Sequence, residues 1–569
     1  MTATADGPRR SQPPPGQLHA DTNDALESAD PSVPVDAAGS SRTGLSVTRW
    51  ELIGLIAITA AAVLVRFAYV SWGGSWDQDQ GAEMLAIWHA VTTAQLPLFG
   101  PPATSVGLPY HHGALYYDLL LPAAWLSRGD PRAILAEIAA ANALVVPMLW
   151  WIGRSIGGRA TGLIVAVMAA TSADLVLFST FIWNPNLIQL GAALAVLGAW
   201  QSWRTGNPRW WLAAALGFAV AVQCHETAAV LALPLGAVWL LDLRRTTSRA
   251  RRRVAVWGLA GVALFLSTYS LVIYHELTNG FPEIQGMASY FRNSPGYVSV
   301  SPAARLIFAA IRIPAWPLTG WPYFELLPGL LPAVVVTLAT AVGGSLLLLR
   351  TWRRGLTISG NEVTRADERH GVAFIVGGLV LFIVALGLGI RAISELNVTM
   401  TEQYHIAADP FVLLLTGVAV GAIWHANRGG RARNVSRFTA IAAVVLFVGW
   451  NAAHWPPLTQ EGTWAAAQAA ATRIEHDAAG GQIAMVPLYE PKGVEAYSYP
   501  LLRDGVHLVT PDQASTVVLF CDSDWIKTGC GGNQEDQWLR SNMTGPALTL
   551  IDRFDAASDR IMSVYRRSP

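Results

Sequence analysis

Long runs of hydrophobic residues, broken by short polar stretches, fill most of the chain between residues 50 and 455. An α-helix of roughly 20 apolar residues crosses the hydrocarbon core of a bilayer, and the runs have about that length. The pattern therefore predicts a polytopic α-helical membrane protein with about 11 transmembrane helices. These helices are expected at residues 50–70, 133–152, 160–178, 187–203, 209–223, 226–241, 254–274, 326–349, 371–390, 405–425 and 437–455.

The composition supports the membrane assignment. Of the 569 residues, 52% are hydrophobic and 14% are charged, whereas soluble proteins carry about 25% charged residues. The 23 tryptophans suit anchoring at the membrane interface, and many lie near the ends of apolar runs. The formal net charge is zero, so no overall positive field indicates nucleic acid as a partner.

Arginine residues predict how the helices are oriented, because cytoplasmic loops of membrane proteins are enriched in lysine and arginine. With the N-terminus inside, every strongly basic segment falls on the cytoplasmic side. These segments contain Arg42 and Arg49, Arg154 and Arg159, Arg204 and Arg209, Arg244 to Arg253, Arg350 to Arg354, and Arg428 to Arg437. The apolar stretch 210–241 fits this orientation as a hairpin of two short helices, with His225 and Glu226 at its turn on the outer side.

The same orientation places the longest polar segments outside the cytoplasm. They are the first loop at residues 71–132, the loop at 275–325, the short loop at 391–404 and the tail at 456–569. Within these loops, residues 114–126 are too short for a span, and residues 304–323 carry three prolines. Both segments are expected to be helices that lie at the outer interface.

Three regions follow from the composition along the chain. Residues 1–44 are rich in Pro, Ser, Asp and Ala, and are expected to be a disordered cytoplasmic segment. Residues 45–455 are expected to form the transmembrane domain. The tail, residues 456–569, alternates strand-like and helix-like runs, which predicts a small extracytoplasmic soluble α/β domain. In that compartment, a disulfide between Cys521 and Cys530 is expected.

A group of acidic residues in "WDQDQGAE", residues 76–83, follows the first predicted span. Asp79 and Glu83 are one helical turn apart, so they share a helix face. Clustered carboxylates repel one another, which raises the pKa of at least one of them and can create a general base. They also suit a hard divalent cation. The alternative is structural, since an aspartate such as Asp77 at the start of a helix caps its first amides.

Four other groups of polar residues lie on the predicted outer side. They are His111 and His112 with the following Tyr116, Asn184 and Asn186 in "FIWNPNL", His225 and Glu226 in the hairpin turn, and Arg391, Glu402, Tyr404 and His405 around the start of the tenth span. We expect these side chains to bind a sugar or a lipid phosphate. A structural role stays open for each group: solvated loop histidines, helix caps, a turn that reaches water, or an interfacial anchor. Adjacent histidines point apart in a strand, so His111 and His112 are not expected to share a metal ion.

One Asp-x-Asp motif, in "LFCDSDW" at residues 519–525, is expected to be structural. This motif can bind a metal ion and a nucleotide-sugar diphosphate. Here it lies in a domain too small for a nucleotide-binding transferase, in a compartment that normally lacks nucleotide sugars. A turn joined by Cys521 and Cys530 is the favoured interpretation.

The order of several segments resembles the GT-C glycosyltransferases, in particular the branch with protein O-mannosyltransferases, the aminoarabinose transferase of lipid A and related bacterial enzymes. In the first loop, these segments are "DQDQGAEM", "LPLFGPPATSVG" and "HHGALYYDLLLP". Further along the chain, they are "GRSIGGRATG", "FIWNPNL", "GFAVAVQCHETAAVLALP" and "EQYHIAADPFVLLL". The resemblance covers residues 50–425 and implies a GT-C-like fold.

The resemblance implies a sugar donor carried on polyprenyl phosphate and an acceptor hydroxyl that arrives from outside. It also implies that a first-loop aspartate is the base and that the sugar inverts. Asp79 is the favoured base because "DQGAEMLA" opens the helix with Glu83 one turn on, and Asp77 is the second choice. The mannosyltransferases have Asp-Glu where this chain has Asp-Gln twice. Relatives differ in metal use, so a divalent ion such as Mg²⁺ or Mn²⁺ at these three carboxylates stays open.

The expected function is that of a polyprenyl-phosphate-sugar-dependent glycosyltransferase of the plasma membrane, with its N-terminus in the cytoplasm. Its expected partners are membrane lipid, the lipid-linked donor, and a glycan, glycolipid or protein acceptor. One alternative is a transporter or flippase of lipid-linked glycans, which favours midplane polar groups and internal repeats. Another is a non-catalytic accessory subunit of cell-envelope glycan assembly. The intact carboxylate group argues against that role, and the outer position of the charges argues against transport.

Overall fold

In this computed structural model, the described residues are 46–568, except for residues 104–109, 294–299, 321–329, 353–356, 390–401, 427–428, 459–461, 489–492, 524–529, 544–546 and 558. Residues Val47–Pro569 form one compact unit. The segment predicted to be disordered, residues 1–44, lies outside the described residues, as does most of the predicted loop 391–404.

Most of the described chain is helical. The helices are α1 (Arg49–Phe67), α2 (Gln78–Thr93), α3 (Leu115–Ser127), α4 (Pro131–Ala143), α5 (Val145–Thr171), α6 (Ala173–Leu177), α7 (Ile188–Thr205), α8 (Trp210–Cys224), α9 (Ala232–Arg245), α10 (Ser248–Ser267), α11 (Ser270–Asn279), α12 (Pro282–Asn293), α13 (Pro302–Thr319), α14 (Leu330–Trp352), α15 (Arg365–Leu388), α16 (Asp409–Trp424), α17 (Gly430–Ala453), α18 (Trp464–Ala478), α19 (Glu495–Arg503) and α20 (Asn533–Asn542). Short 3-10 turns lie at Val70–Trp72, Asn184–Leu187, Glu226–Leu231, Glu402–Tyr404 and Ile406–Ala408.

Apolar helices that are long enough to cross a membrane make up the body of the fold. Within the described residues there are seven such helices, or eight if the bent pair α10 and α11 is one span. Two of the predicted spans, 187–203 and 209–223, correspond to α7 and α8, which are not in this set. Of these two helices, α8 has only 15 residues. The predicted count of eleven therefore stays a prediction, whereas the polytopic helical architecture is confirmed.

The 41-residue apolar element Pro131–Thr171 is not one straight helix. At Gly158 the backbone has φ 85° and ψ −174°, a conformation that glycine adopts most readily. A Cβ atom on Gly162 would lie 3.1 Å from the side chain of Trp150, although a straight helix would separate these positions by about 18 Å. The chain therefore folds back at Gly158, and the predicted spans 133–152 and 160–178 correspond to two separate arms.

Small residues bring α7 and α8 into close contact. A Cβ atom on Gly198 of α7 would lie 2.4 Å from the backbone nitrogen of Ala214 in α8. A Cβ atom on Gly217 of α8 would lie equally close to Ala195 of α7, at 2.4 Å. Helices in membranes commonly approach one another through such small residues. This packing fixes the position of the turn that follows α8.

The stretch predicted as a helical hairpin, residues 210–241, forms α8, a 3-10 turn and α9. Trp211 near the start of α8 and Trp239 near the end of α9 line the same cavity, so the two helices run in opposite directions. His225 ends α8 and precedes the turn that begins at Glu226. The predicted hairpin is therefore present, with both residues at its turn.

A four-stranded sheet lies in the C-terminal region, which we define as residues 462–568. Its strands are β1 (Ile483–Pro487), β2 (Thr516–Asp522), β3 (Leu548–Ala557) and β4 (Arg560–Arg567), in the order β1-β2-β4-β3. β1 and β2 are parallel, and the other two pairs are antiparallel. Cys521 and Cys530 form a disulfide, as expected. The predicted small α/β structure at the C-terminus is confirmed.

The C-terminal region packs directly against the segment that leads into α2. Trp76 is 1% exposed, and its indole N–H donates to the Ala496 carbonyl at 2.7 Å. Its ring centroid lies 4.6 Å from that of Trp464, and its backbone N–H donates to the Gly462 carbonyl at 2.8 Å. One turn into α2, Gly81 meets the backbone of α19. The start of α2 is therefore held by the C-terminal region.

Gly81→Ala is expected to weaken this contact. The new methyl group would lie 2.2 Å from the Glu495 carbonyl carbon and 2.3 Å from the Ala496 nitrogen, so two backbone segments would have to separate. We expect a loss of stability of about 1–3 kcal/mol, measured as a lower thermal midpoint of the purified protein. We also expect faster proteolysis of the C-terminal region.

Gly236→Ala in α9 is the matched control, because nothing lies within 4 Å of the methyl group that it would add. This second substitution should leave the midpoint unchanged or raise it slightly, since alanine favours a helix. Equal midpoints and equal proteolysis for the two variants would contradict the close packing of α2 on α19.

Candidate active site

Asp77 is the N-cap of α2. Its carboxylate accepts a hydrogen bond from the Gln78 N–H at 2.6 Å, while the Gln80 side chain accepts one from the Asp77 N–H at 2.8 Å. The Asp77 side chain also accepts a hydrogen bond from the Gln80 backbone N–H, so Asp77 and Gln80 form a capping box. Arg560 of β4 lies 3.2 Å from the Asp77 carboxylate and also donates to the Trp76 carbonyl at 2.9 Å. Asp77 therefore has the capping role that its sequence position left open, and it also pairs with the C-terminal region.

Glu83 is buried one turn after Asp79, which is exposed. The Tyr116 hydroxyl donates to one Glu83 oxygen, and the Asn184 backbone N–H donates to the other at 2.9 Å. Burial raises the pKa of Glu83 to about 8, and the charge of Asp79 adds to the rise, although the two hydrogen bonds oppose it. Glu83 therefore titrates near neutral pH, which is typical of groups in sites of proton transfer.

The two asparagines of "FIWNPNL" have different positions. Asn184 is 5% exposed, and its side-chain amide donates to the carbonyl of Cys224 at the end of α8. Together with the bond to Glu83, this contact makes Asn184 the link between α2 and the hairpin turn. Asn186 is fully buried, and its side-chain amide donates to the Phe181 carbonyl. Asn186 therefore stabilises the loop from inside.

His112, His225 and Glu226 form a cluster beside this link. Glu226 Oε2 lies 2.8 Å from His112 Nδ1 and 3.9 Å from His225 Nδ1. The centroids of the two imidazole rings are 5.1 Å apart. The Tyr110 hydroxyl donates to Glu226 Oε1 at 3.2 Å, and the Tyr404 ring lies edge-on to His225 at 5.2 Å. Residues from the first loop, the hairpin turn and the segment before α16 therefore meet here.

His111 has a different partner from its neighbour His112. Its backbone N–H donates to Glu283 Oε2 at 2.7 Å, and its Nδ1 lies 3.1 Å from Glu283 Oε1. Its ring stacks on Phe99 with the centroids 5.0 Å apart. The two adjacent histidines therefore contact different acidic residues, and His111 lies outside the cluster.

The predicted site residues near α16 are only partly described. Tyr404 is half-buried against His225, and His405 is 2% exposed. Arg391 lies outside the described residues, as does the side chain of Glu402. The structure thus brings Tyr404 to the histidine cluster and places His405 in a buried position. Arg391 and Glu402 stay predictions.

The sequence did not single out several residues that hold the site together. Tyr110 contacts Glu226, and Arg560 contacts Asp77. The Gln223 side chain accepts a hydrogen bond from the Leu115 N–H at the start of α3, at 3.2 Å. Tyr110 lies directly before the two histidines in the sequence, but its contact with Glu226 depends on how the first loop meets the hairpin turn. The others come from distant segments, so only the fold reveals them.

Glu83→Gln is expected to remove a pH-dependent loss of stability. The Glu83 pKa is about 8 in the folded protein, against an ordinary value of 4.5. Between these pH values only the folded state keeps the proton, so stability falls as pH rises, by up to about 1.4 kcal/mol per pH unit. The thermal midpoint of the wild type should therefore fall relative to that of the variant across this window and level off above it. Parallel midpoint curves for the two proteins would contradict the raised pKa.

The family model described as dolichyl-phosphate-mannose-protein mannosyltransferase matches residues 126–275. Among curated proteins, no sequence matches this chain. Among solved structures, ArnT from Cupriavidus metallidurans in the apo state is similar over 90% of this chain and 97% of that chain, with a TM-score of 0.53 and 11% identity.

Two other solved structures are more distant in shape. The oligosaccharyltransferase AglB from Archaeoglobus fulgidus is similar over 84% of this chain and 70% of that chain, with a TM-score of 0.46 and 11% identity. The arabinofuranosyltransferase AftD from Mycobacteria is similar over 92% of this chain and 40% of that chain, with a TM-score of 0.49 and 15% identity. This chain therefore shares the fold of ArnT, and residues 126–275 match the mannosyltransferase family model.

Proposed function

We propose that this protein transfers a sugar from a polyprenyl-phosphate donor to a hydroxyl acceptor on the outer face of the plasma membrane. The observation that carries the proposal is one connected site, in which Glu83 and Asn184 join the acidic start of α2 to the histidine cluster. A sugar transfer that expels a phosphate needs a base beside the acceptor hydroxyl and a group that stabilises the leaving phosphate. By its name, the matching family uses a donor of this class.

Asp79 is the proposed base. It is exposed at the first turn of α2, whereas Asp77 is engaged by Arg560 and by its own helix, and Glu83 is buried. The acceptor hydroxyl gives its proton to the Asp79 carboxylate as its oxygen bonds to the anomeric carbon. The bond from that carbon to the phosphate oxygen breaks on the opposite side, and polyprenyl phosphate leaves with the electron pair. The sugar therefore inverts at this carbon.

The histidine cluster is the proposed phosphate end of the site. The ring N–H groups of His112 and His225 can donate to phosphate oxygens, and such donors stabilise charge best where water is excluded. Glu226 contacts both rings and would hold them in position. Tyr404 borders the same cluster, and Arg391 stays a predicted phosphate ligand near it in the sequence.

The distribution of arginines supports an outer position for this site. α9 follows the turn at Glu226 and ends at Arg244 and Arg245, so these arginines lie at the end of α9 away from the site. α10 then begins with Arg249 and further arginines. Because cytoplasmic segments are enriched in arginine, the opposite end, with α2 and the C-terminal region, is the extracytoplasmic one.

Asp79→Asn is expected to abolish transfer. Membranes with the wild type should consume labelled polyprenyl-phosphate sugar in the presence of an acceptor, and loss of a general base lowers the rate by about 10²–10⁴-fold. Asp77→Asn should have a smaller effect, through the cap and the contact with Arg560. Asp118→Asn, at an exposed position of α3 in the same loop, is the matched control and should keep the wild-type rate.

One result would overturn the proposed function, and another would overturn only the assignment of Asp79 as the base. If no polyprenyl-phosphate sugar is consumed by the wild type, the accessory or transport function would take its place. If donor consumption proceeds and Asp79→Asn retains it at equal protein abundance, the transferase assignment would stand and Asp79 would not be the base.

A further inference from the structure

Three metal-ligating side chains converge where the first loop meets the hairpin turn. His112, His225 and Glu226 each offer one ligand atom, and these atoms lie within 4.8 Å of one another. The residues come from two segments that are distant in sequence, so the cluster is a product of the fold. Two imidazoles and one carboxylate are a frequent ligand set for a divalent transition metal.

The separations in this cluster suit one ion. Two ligands on a tetrahedral Zn²⁺ ion, with bonds of about 2.0–2.1 Å, stand about 3.3 Å apart. Glu226 Oε2 lies 2.8 Å from His112 Nδ1, less than that value, and the ligand atoms of all three residues lie within 4.8 Å of one another. Small rotations of these side chains would therefore bring the three ligands to a common centre.

Neighbouring groups already restrain the three side chains. The side chains of His112 and His225 are 7% and 10% exposed. The Thr227 hydroxyl lies 2.9 Å from His225 Nδ1, and the Tyr110 hydroxyl donates to Glu226 Oε1. Partners of this kind hold metal ligands in position and tune their affinity. The Glu226 side chain is 33% exposed, which leaves one side of the cluster open to a further ligand.

The carboxylates of α2 are arranged less favourably for an ion. Asp77 faces Arg560, and both oxygens of Glu83 accept hydrogen bonds, from Tyr116 and from the Asn184 backbone. A cation at these carboxylates would have to displace an arginine and two donors. At the histidine cluster an ion would replace the contact between Glu226 and His112, while Thr227 occupies His225 Nδ1. The nitrogen ligands there favour a transition metal over Mg²⁺.

We propose that His112, His225 and Glu226 bind one divalent transition-metal ion of the Zn²⁺ type, with an open coordination position that takes a phosphate oxygen. The binding of the ion is inferred from the three side chains alone and does not depend on the proposed function. Only the phosphate ligand rests on the proposed function. In that role the ion would stabilise the negative charge of the departing polyprenyl phosphate without any redox step. The cluster would then serve the leaving group, while Asp79 serves the acceptor.

The test is a measurement of bound metal in protein purified without a histidine tag. After chelator treatment and addition of ZnCl₂ alone, the wild type should retain about one zinc per chain by elemental analysis, as a single-site cluster requires. Zinc should also raise its thermal midpoint, because an ion that binds only the folded state stabilises it. His112→Ala and Glu226→Gln should lose both effects.

His111→Ala is the matched control, since this neighbour pairs with Glu283 outside the cluster, and it should keep the zinc and the shift of the midpoint. Midpoints without zinc show whether each variant is folded. Absence of stoichiometric zinc in the wild type, or its retention in both cluster variants, would overturn the proposal. Donor consumption by zinc-free protein would remove only the phosphate role, and zinc binding without any transfer would leave the ion site and overturn the proposed function.

Discussion

The buried carboxyl group of Glu83 is the constraint around which the site is arranged. A carboxyl group that is removed from water must find hydrogen-bond partners, or it destabilises the fold. Tyr116 of α3 and the backbone of Asn184 supply them. The Asn184 side chain then bonds the Cys224 carbonyl, which fixes the residue directly before His225. One buried acid thus brings three loop segments together and aligns the acidic helix with the histidine cluster.

The C-terminal region completes this arrangement from the other side. Trp76 is inserted against Trp464, and Arg560 pairs with Asp77, so α2 is held at its first residue as well as at its buried face. Asp79 is exposed between Asp77, which pairs with Arg560, and the buried Glu83. In the proposed function, a helix that is held twice would keep Asp79 in position relative to a bound sugar, and such positioning supplies much of the rate of a two-substrate reaction.

Local patterns in the sequence predicted much of the fold, and the long-range contacts explain what they missed. Hydrophobic runs located most of the apolar helices within a few residues, and the arginines predicted the hairpin over residues 210–241. The acidic motif was recognised as a group, but its three carboxylates differ in role: Asp77 caps, Asp79 is exposed and Glu83 is buried. Burial depends on α3 and on Asn184, which no local pattern specifies. The meeting of His112 with Glu226 depends likewise on how α3 packs on α8.

The central claim is that α2 and the histidine cluster form one donor site. The most direct test is a cryo-electron microscopy structure of the protein with a non-transferable polyprenyl-phosphonate sugar. We predict that the phosphonate lies at the cluster of His112, His225 and Glu226, and that the anomeric carbon lies between this cluster and Asp79. A head group bound instead at the arginine-rich end of α9, or anywhere remote from both α2 and the cluster, would contradict the account.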